Sequence, residues 1–105
     1  MHTERIEIMV KHIILWNLKD EYNTREVKNG IKVGLEGLLG KIPGLLEIKV
    51  YTEKLESSNV EVMLWSVFES AEALKGYSVH PEHVKVADTK VRPFTQTRAC
   101  FDYEV

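Results

Sequence analysis

Ile8-Met9-Val10-Lys11-His12-Ile13-Ile14-Leu15-Trp16-Asn17-Leu18 reads as a β-strand that is apolar on both faces. Side chains alternate across a strand. Ile8, Val10, His12, Ile14, Trp16 and Leu18 therefore share one face, and Met9, Lys11, Ile13, Leu15 and Asn17 the other. A strand with one wet face places polar residues at every second position. Here both sets are largely apolar, which predicts cover on both sides. Val60 to Glu69 repeats the pattern, with Val60, Val62, Leu64, Ser66 and Phe68 on one face and Met63, Trp65 and Val67 on the other.

Between these strands, Asn23-Thr24-Arg25-Glu26 predicts a helix start, with Asn23 accepting from an orphan amide and Glu26 reaching back. Val27, Ile31, Leu35, Leu38, Leu39 and Ile42 follow at the spacing of one helical face. Gly30, Gly34 and Gly37 each weaken a helix by up to ~1 kcal/mol relative to Ala, so close approach to the sheet or room beside a cavity is expected there. Gly40 is a predicted helix end and Pro43-Gly44 a turn. Leu45 to Glu53 reads as a second strand, with Leu46, Ile48 and Val50 on one face and Glu47, Lys49 and Tyr51 on the other.

After the strand at Val60 to Glu69, Ser70 is placed to cap a short helix through Ala73, Leu74 and Tyr77. His80-Pro81 ends that helix and starts another, which carries Val84, Ala87 and Val91 and stops before Pro93. Thr95 to Val105 closes the chain as a strand, with Ala99, Phe101, Tyr103 and Val105 on one face. The order β-α-β-β-α-β is the ferredoxin-like α+β pattern, an antiparallel sheet carrying its helices on one face. The opposite sheet face is left bare, and an apolar surface of that size implies a partner. A homodimer whose sheets pack face to face into an α+β barrel is the economical solution.

Composition narrows the function classes. The chain has 105 residues, 44% of them hydrophobic, with 14 Lys plus Arg against 16 Asp plus Glu. That suits one domain, and the balanced charge gives no electrostatic footprint for nucleic acid. Cys100 is the only cysteine, which excludes an intrachain disulfide and a cysteine-based zinc cluster. No apolar run is long enough to span a bilayer, and Met1-His2-Thr3-Glu4-Arg5 does not start like a signal peptide, so a reducing cytoplasm is expected. Residues 1–8 precede Met9 and are expected to form an N-terminal extension of a single domain over 9–105. Gly34 to Lys41 lacks the glycine spacing of a phosphate loop and has Ile42 where Ser or Thr belongs; no Gly-x-Ser-x-Gly elbow occurs.

The polar residues at apolar positions carry the chemistry. His12 lies between Val10 and Ile14, either as a satisfied core histidine or as a pocket base or ligand contact. His80 stands before Pro81, where it can cap the turn or, with His12 and Trp16, touch a ligand. His80 and His83 are three apart, but a metal site would need a third ligand such as His12, Glu82 or Asp88, and no His-Glu-x-x-His signature is present; no metal and no cofactor are expected. Trp16, Trp65, Phe68 and Phe101 read as core, or as the lining for a flat ligand if they face the space between two sheets. Cys100 reads as a buried thiol.

Val10-Lys11-His12-Ile13-Ile14, Lys19-Asp20, Phe68-Glu69-Ser70, Tyr77-Ser78-Val79-His80-Pro81-Glu82-His83-Val84 and Phe101-Asp102-Tyr103-Glu104 together resemble the stress-responsive A/B barrel (Dabb) family over about residues 9–105. The resemblance implies a dimeric α+β barrel of ferredoxin-like subunits. The family holds plant stress proteins without an assigned reaction and a plant polyketide cyclase that closes a ring without a cofactor. By position, the cyclase's tyrosine and histidine are matched by Tyr77 and His83, and its first-strand pocket histidine by His12. A tyrosine on the cyclase's first helix falls, by ungapped count, at Gly34, which implies a pocket of different shape.

The resemblance thus implies a pocket for an apolar or aromatic small molecule, with cofactor-free acid/base chemistry in which His83 is the base and Tyr77 and His12 its polar partners. The alternatives are a non-catalytic stress protein whose relevant property is a stable assembly, and a cofactor-free monooxygenase, a chemistry also found on dimeric α+β barrels. The catalytic reading expects a cavity of ~300 Å³ or more with His12, Tyr77 and His83 pointing into it. The structural reading expects the inter-sheet space to be filled by Trp and Leu side chains.

Overall fold

The computed structural model describes residues 8–105. Nearly all of the expected N-terminal extension lies outside these residues. Four strands, β1 (Val10–Leu18), β2 (Leu45–Tyr51), β3 (Val62–Phe68) and β4 (Thr95–Glu104), form one antiparallel sheet in the order β2-β3-β1-β4. Helix α1 (Arg25–Glu36) links β1 to β2, and α2 (Ala71–Val79) and α3 (Pro81–Val86) link β3 to β4. This is the ferredoxin-like architecture that the element order predicts. Among the described residues, no helix is long and apolar enough to cross a membrane.

The core lies between the sheet and the helices. The antiparallel registers pair Val10 with Phe68 and Ile14 with Leu64, so the even residues of β1 and β3 share one face. Val10, Ile14, Trp16, Leu18, Val62, Leu64 and Phe68 are buried there with Ile31 and Leu35 of α1. The odd residues form the other face, which no helix covers. Ile13 is flanked by Trp65 on β3 and Phe101 on β4, and Phe101 is 68% exposed. The four aromatics therefore do not line one space. Trp16 and Phe68 lie under the helices, while Trp65 and Phe101 look outward, because parity carries across β1 unbroken from Val10 to Trp16.

Several local expectations are corrected. Thr24, not Asn23, caps α1, accepting from the Val27 amide at 3.2 Å. The helix ends at Glu36, before Gly40, so Leu38 and Ile42 are buried while Leu39 is 51% exposed. The Glu36 carboxylate accepts from the Val50 amide at 2.9 Å and from Lys32 at 2.8 Å, and Lys32 also donates to the Val50 carbonyl at 2.8 Å. The end of α1 is thereby tied to β2. A register shift between Leu45 and Glu47 buries Leu45 and turns Leu46 outward, reversing the expected parity at the start of β2.

Gly44, at φ +82°, makes the turn into β2; a Cβ there would stand 2.5 Å from that of Ala73. Its carbonyl accepts from the Glu69 amide at 2.9 Å, so this turn seats α2 against the sheet. At Gly34 an added Cβ would meet Val86 at 3.0 Å. That glycine serves the approach of α1 to α3, rather than to the sheet.

Candidate active site

Three elements deliver the three polar residues. His12 comes from the helix-facing side of β1, Tyr77 from the last turns of α2, and His83 from the first turn of α3. Ser70 caps α2 by accepting from the Ala73 amide at 3.0 Å, and His80 caps α3 by accepting from the Glu82 amide through Nδ1 at 3.1 Å. The two caps fix the bend that sets His83 beside Tyr77, their ring centroids 4.1 Å apart and tilted by 35°. The Tyr77 ring is 6.1 Å from that of His12 and 4.9 Å from that of Phe68. After α3 the chain widens into one π-helical segment, Ala87–Val91.

These residues surround a cavity of about 130 Å³ between the sheet and the helices, lined by His12, Trp16, Tyr77, His83, Arg92 and Arg98 among others. It is smaller than the ~300 Å³ expected of a complete ligand pocket, and it is not between two sheets. It shares His12, Leu74, Ser78 and Arg98 with a surface groove of about 560 Å³ that runs to Asp102 and Glu104. A wider depression of about 1090 Å³ between α1 and β2 is lined by Arg25, Glu26, Lys28 and Lys32 and reaches none of the three residues. Gly34 is absent from the lining of the cavity.

Each polar group has a defined role open to it. His83 Nδ1 donates to the Ser78 carbonyl at 3.3 Å, which leaves the Nε2 lone pair as the acceptor of the neutral ring. Burial lowers the His83 pKa below its ordinary 6.5, and the charges of Arg92, His12 and Arg98 act in the same direction against the Ser78 bond. The ring is neutral at neutral pH, as a base must be. Tyr77 is 2% exposed, and its hydroxyl has no hydrogen-bond partner. Burial pushes the phenol far above its ordinary value, so it is held as a donor. His12 Nδ1 donates to Asp102 Oδ1 at 2.5 Å, leaving Nε2 as its acceptor.

The structure brings His12, Trp16, Tyr77 and His83 together. It does not bring His80, which is spent on the helix cap and is absent from the lining. Cys100 is exposed on the edge strand rather than buried; its Sγ lies 3.4 Å from Asp102 Oδ1. Burial, the Asp102 hydrogen bond and the Asp102 charge push its thiol up. Sequence reasoning missed Asp102, Arg92 and Arg98. Asp102 was recoverable. It sits opposite Phe101 and Tyr103 in the alternation of β4, and antiparallel pairing sets it directly across from His12.

Comparison with known proteins places the fold. The description "Stress responsive A/B Barrel Domain" matches residues 10–105. The chain belongs to the stress-responsive A/B barrel (Dabb) family. Within reach of this Dabb chain is olivetolic acid cyclase of Cannabis sativa, 30% identical over 97 residues, spanning 90% of this chain and 94% of the cyclase. A dimeric protein of unknown function and ferredoxin-like fold from Bacteroides fragilis superposes with a TM-score of 0.84 at 34% identity, over 92% of this chain and 96% of its own. Hydroxynitrile lyase from Passiflora edulis superposes with a TM-score of 0.75 over 92% of this chain and 93% of its own; at 18% identity it shows the fold alone.

Proposed function

We propose that this Dabb protein is a homodimer that holds a small aromatic or apolar carbonyl compound in the chamber between sheet and helices and moves a proton beside that carbonyl without a cofactor. The observation that carries the reading is the Tyr77 hydroxyl, buried with no partner against two imidazoles. A buried unpaired donor costs about 1–3 kcal/mol, a cost that a ligand oxygen would relieve. A chamber of about 130 Å³ is close to the size of cavities that take a single benzene ring. The groove beyond Arg98 leaves room for a substituent.

The roles follow from the tautomers. His83 Nε2 takes the proton from the carbon beside the carbonyl. The C–H pair becomes the enolate, whose oxygen accepts from Tyr77 Oη, and the proton returns from His83 to carbon. His12, its Nδ1 bound to Asp102, presents Nε2 as a second polar contact. The dimer reading is supported by the bare apolar face around Ile13, Trp65 and Phe101 and by the dimeric Bacteroides relative.

Acetophenone in deuterium oxide tests the chemistry, with loss of the methyl proton signal as the readout. The protein is expected to accelerate the exchange, and His83→Ala to lower the rate by about 10²–10⁴. Because the His83 pKa is depressed below 6.5, the ring is more than half neutral at that pH, and its neutral fraction is lost as pH drops through the folded-state pKa. The rate should be flat through neutrality and decline on the acid side. Exchange no faster than in buffer, or undiminished in His83→Ala, contradicts the reading and leaves a non-catalytic dimer.

A further inference from the structure

A second cluster surrounds Nδ1 of His12 in the groove that adjoins the chamber. His12 Nδ1, Asp102 Oδ1 and Cys100 Sγ form a triangle with edges of 2.5 Å (Nδ1 to Oδ1), 3.4 Å (Sγ to Oδ1) and 3.9 Å (Sγ to Nδ1). We propose that these three residues form a site for a divalent d-block cation with thiolate affinity, Zn²⁺ foremost. The inference goes beyond the acid/base reading and does not depend on it.

The geometry excludes the obvious alternative use. A thiol–imidazole–carboxylate relay sets the thiol and the carboxylate on opposite ring nitrogens. Here both converge on Nδ1, which makes a cage rather than a relay. Tetrahedral Zn²⁺ bonds at about 2.0 Å to nitrogen or oxygen and about 2.3 Å to sulfur, which separates ligand atoms by about 3.3–3.6 Å. Both sulfur edges are already within a few tenths of an ångström of that range. Only the nitrogen–oxygen edge must open, as the ion takes the place of the hydrogen bond between the two atoms.

The frame is stiff. Cys100 and Asp102 are two apart on the same face of β4, and His12 is the cross-strand partner of Asp102. His12, Cys100 and Asp102 all line the 560 Å³ groove, so a fourth, open coordination position faces solvent. The donor set of one imidazole, one thiolate and one carboxylate is that of zinc chemistry rather than of magnesium or calcium. Arg98 and Lys75 line the same groove and oppose a cation, while Glu104 favours one. With the ion on Nδ1, the neutral His12 ring carries its proton on Nε2. Nε2 then changes from acceptor to donor.

The test is anaerobic titration of the reduced full chain with Co²⁺, followed by competition with Zn²⁺. One ion per chain and a near-ultraviolet thiolate-to-cobalt charge-transfer band are expected. Losing even an outer-shell partner costs 10–100-fold in affinity. Cys100→Ala should therefore remove the band and weaken Zn²⁺ binding by about a hundredfold, with an unchanged circular dichroism spectrum because the side chain is exposed. Asp102→Asn should weaken Zn²⁺ by about tenfold or more, and Arg98→Gln should tighten it. No charge-transfer band at stoichiometric Co²⁺ would overturn the site. So would a Zn²⁺ affinity unchanged in Cys100→Ala, or half an ion per chain, which marks a thiolate pair between two chains.

Discussion

Tyr77→Phe is expected to yield a protein that is more stable than the wild type and has lost its proton-transfer activity. Buried tyrosines ordinarily tie their hydroxyl to a partner, and removing it costs stability. Here the hydroxyl is enclosed and unpaired, with Phe68 on one side and His83 on the other. Deleting it removes an unsatisfied donor and leaves the ring packing intact, so urea denaturation should show a gain of about 1 kcal/mol. The same change removes the donor aimed at the developing enolate oxygen, so exchange should fall by about 10²–10³. A loss of stability with exchange intact would assign the hydroxyl a structural role and remove the chamber's claim to chemistry.

The second large effect concerns the sheet face opposite the chamber. Phe101→Glu places a charge at the β4 end of the row formed by Trp65, Ile13 and Phe101. A stable interface buries about 800 Å² per partner, and this face is the apolar surface available for it. An uncompensated charge buried at such a contact costs about 3–5 kcal/mol, so the dissociation constant should rise by about 10²–10⁴. Sedimentation at micromolar concentration should then show a single chain where the wild type shows two. Phe101 is 68% exposed in the single chain, so the substitution leaves the monomer's own core untouched. A single chain already forms the chamber, so the dissociated variant should keep its exchange activity. A chamber formed between two sheets would lose it.

The sequence made the architecture legible because both β1 and β3 are apolar at successive positions, a pattern that only a sheet covered on both faces explains. His12, Tyr77 and His83 were legible as polar groups at inward positions. Which side of the sheet holds the chamber was not. Trp16 and Trp65 look alike in sequence, and only the register between strands places one under the helices and the other outside. Asp102 was recoverable only through the same strand pairing. Its partner is 90 residues away, and the pairing emerges only when β4 is laid beside β1. The outward turn of Leu46 followed from a register irregularity, and the exposure of Leu39 from a helix that stops at Glu36. Both are local breaks in periodicity that an apolar residue does not announce.

The long-range ¹H–¹⁵N spectrum of the imidazoles, recorded as acetophenone is added, tests most directly where the chemistry takes place. The Nε2 resonances of His83 and His12 should shift together while both Nδ1 atoms stay protonated, and the indole of Trp65 should not move. Shifts at Trp65 with His83 unmoved would put the ligand on the open face of the sheet and contradict the account.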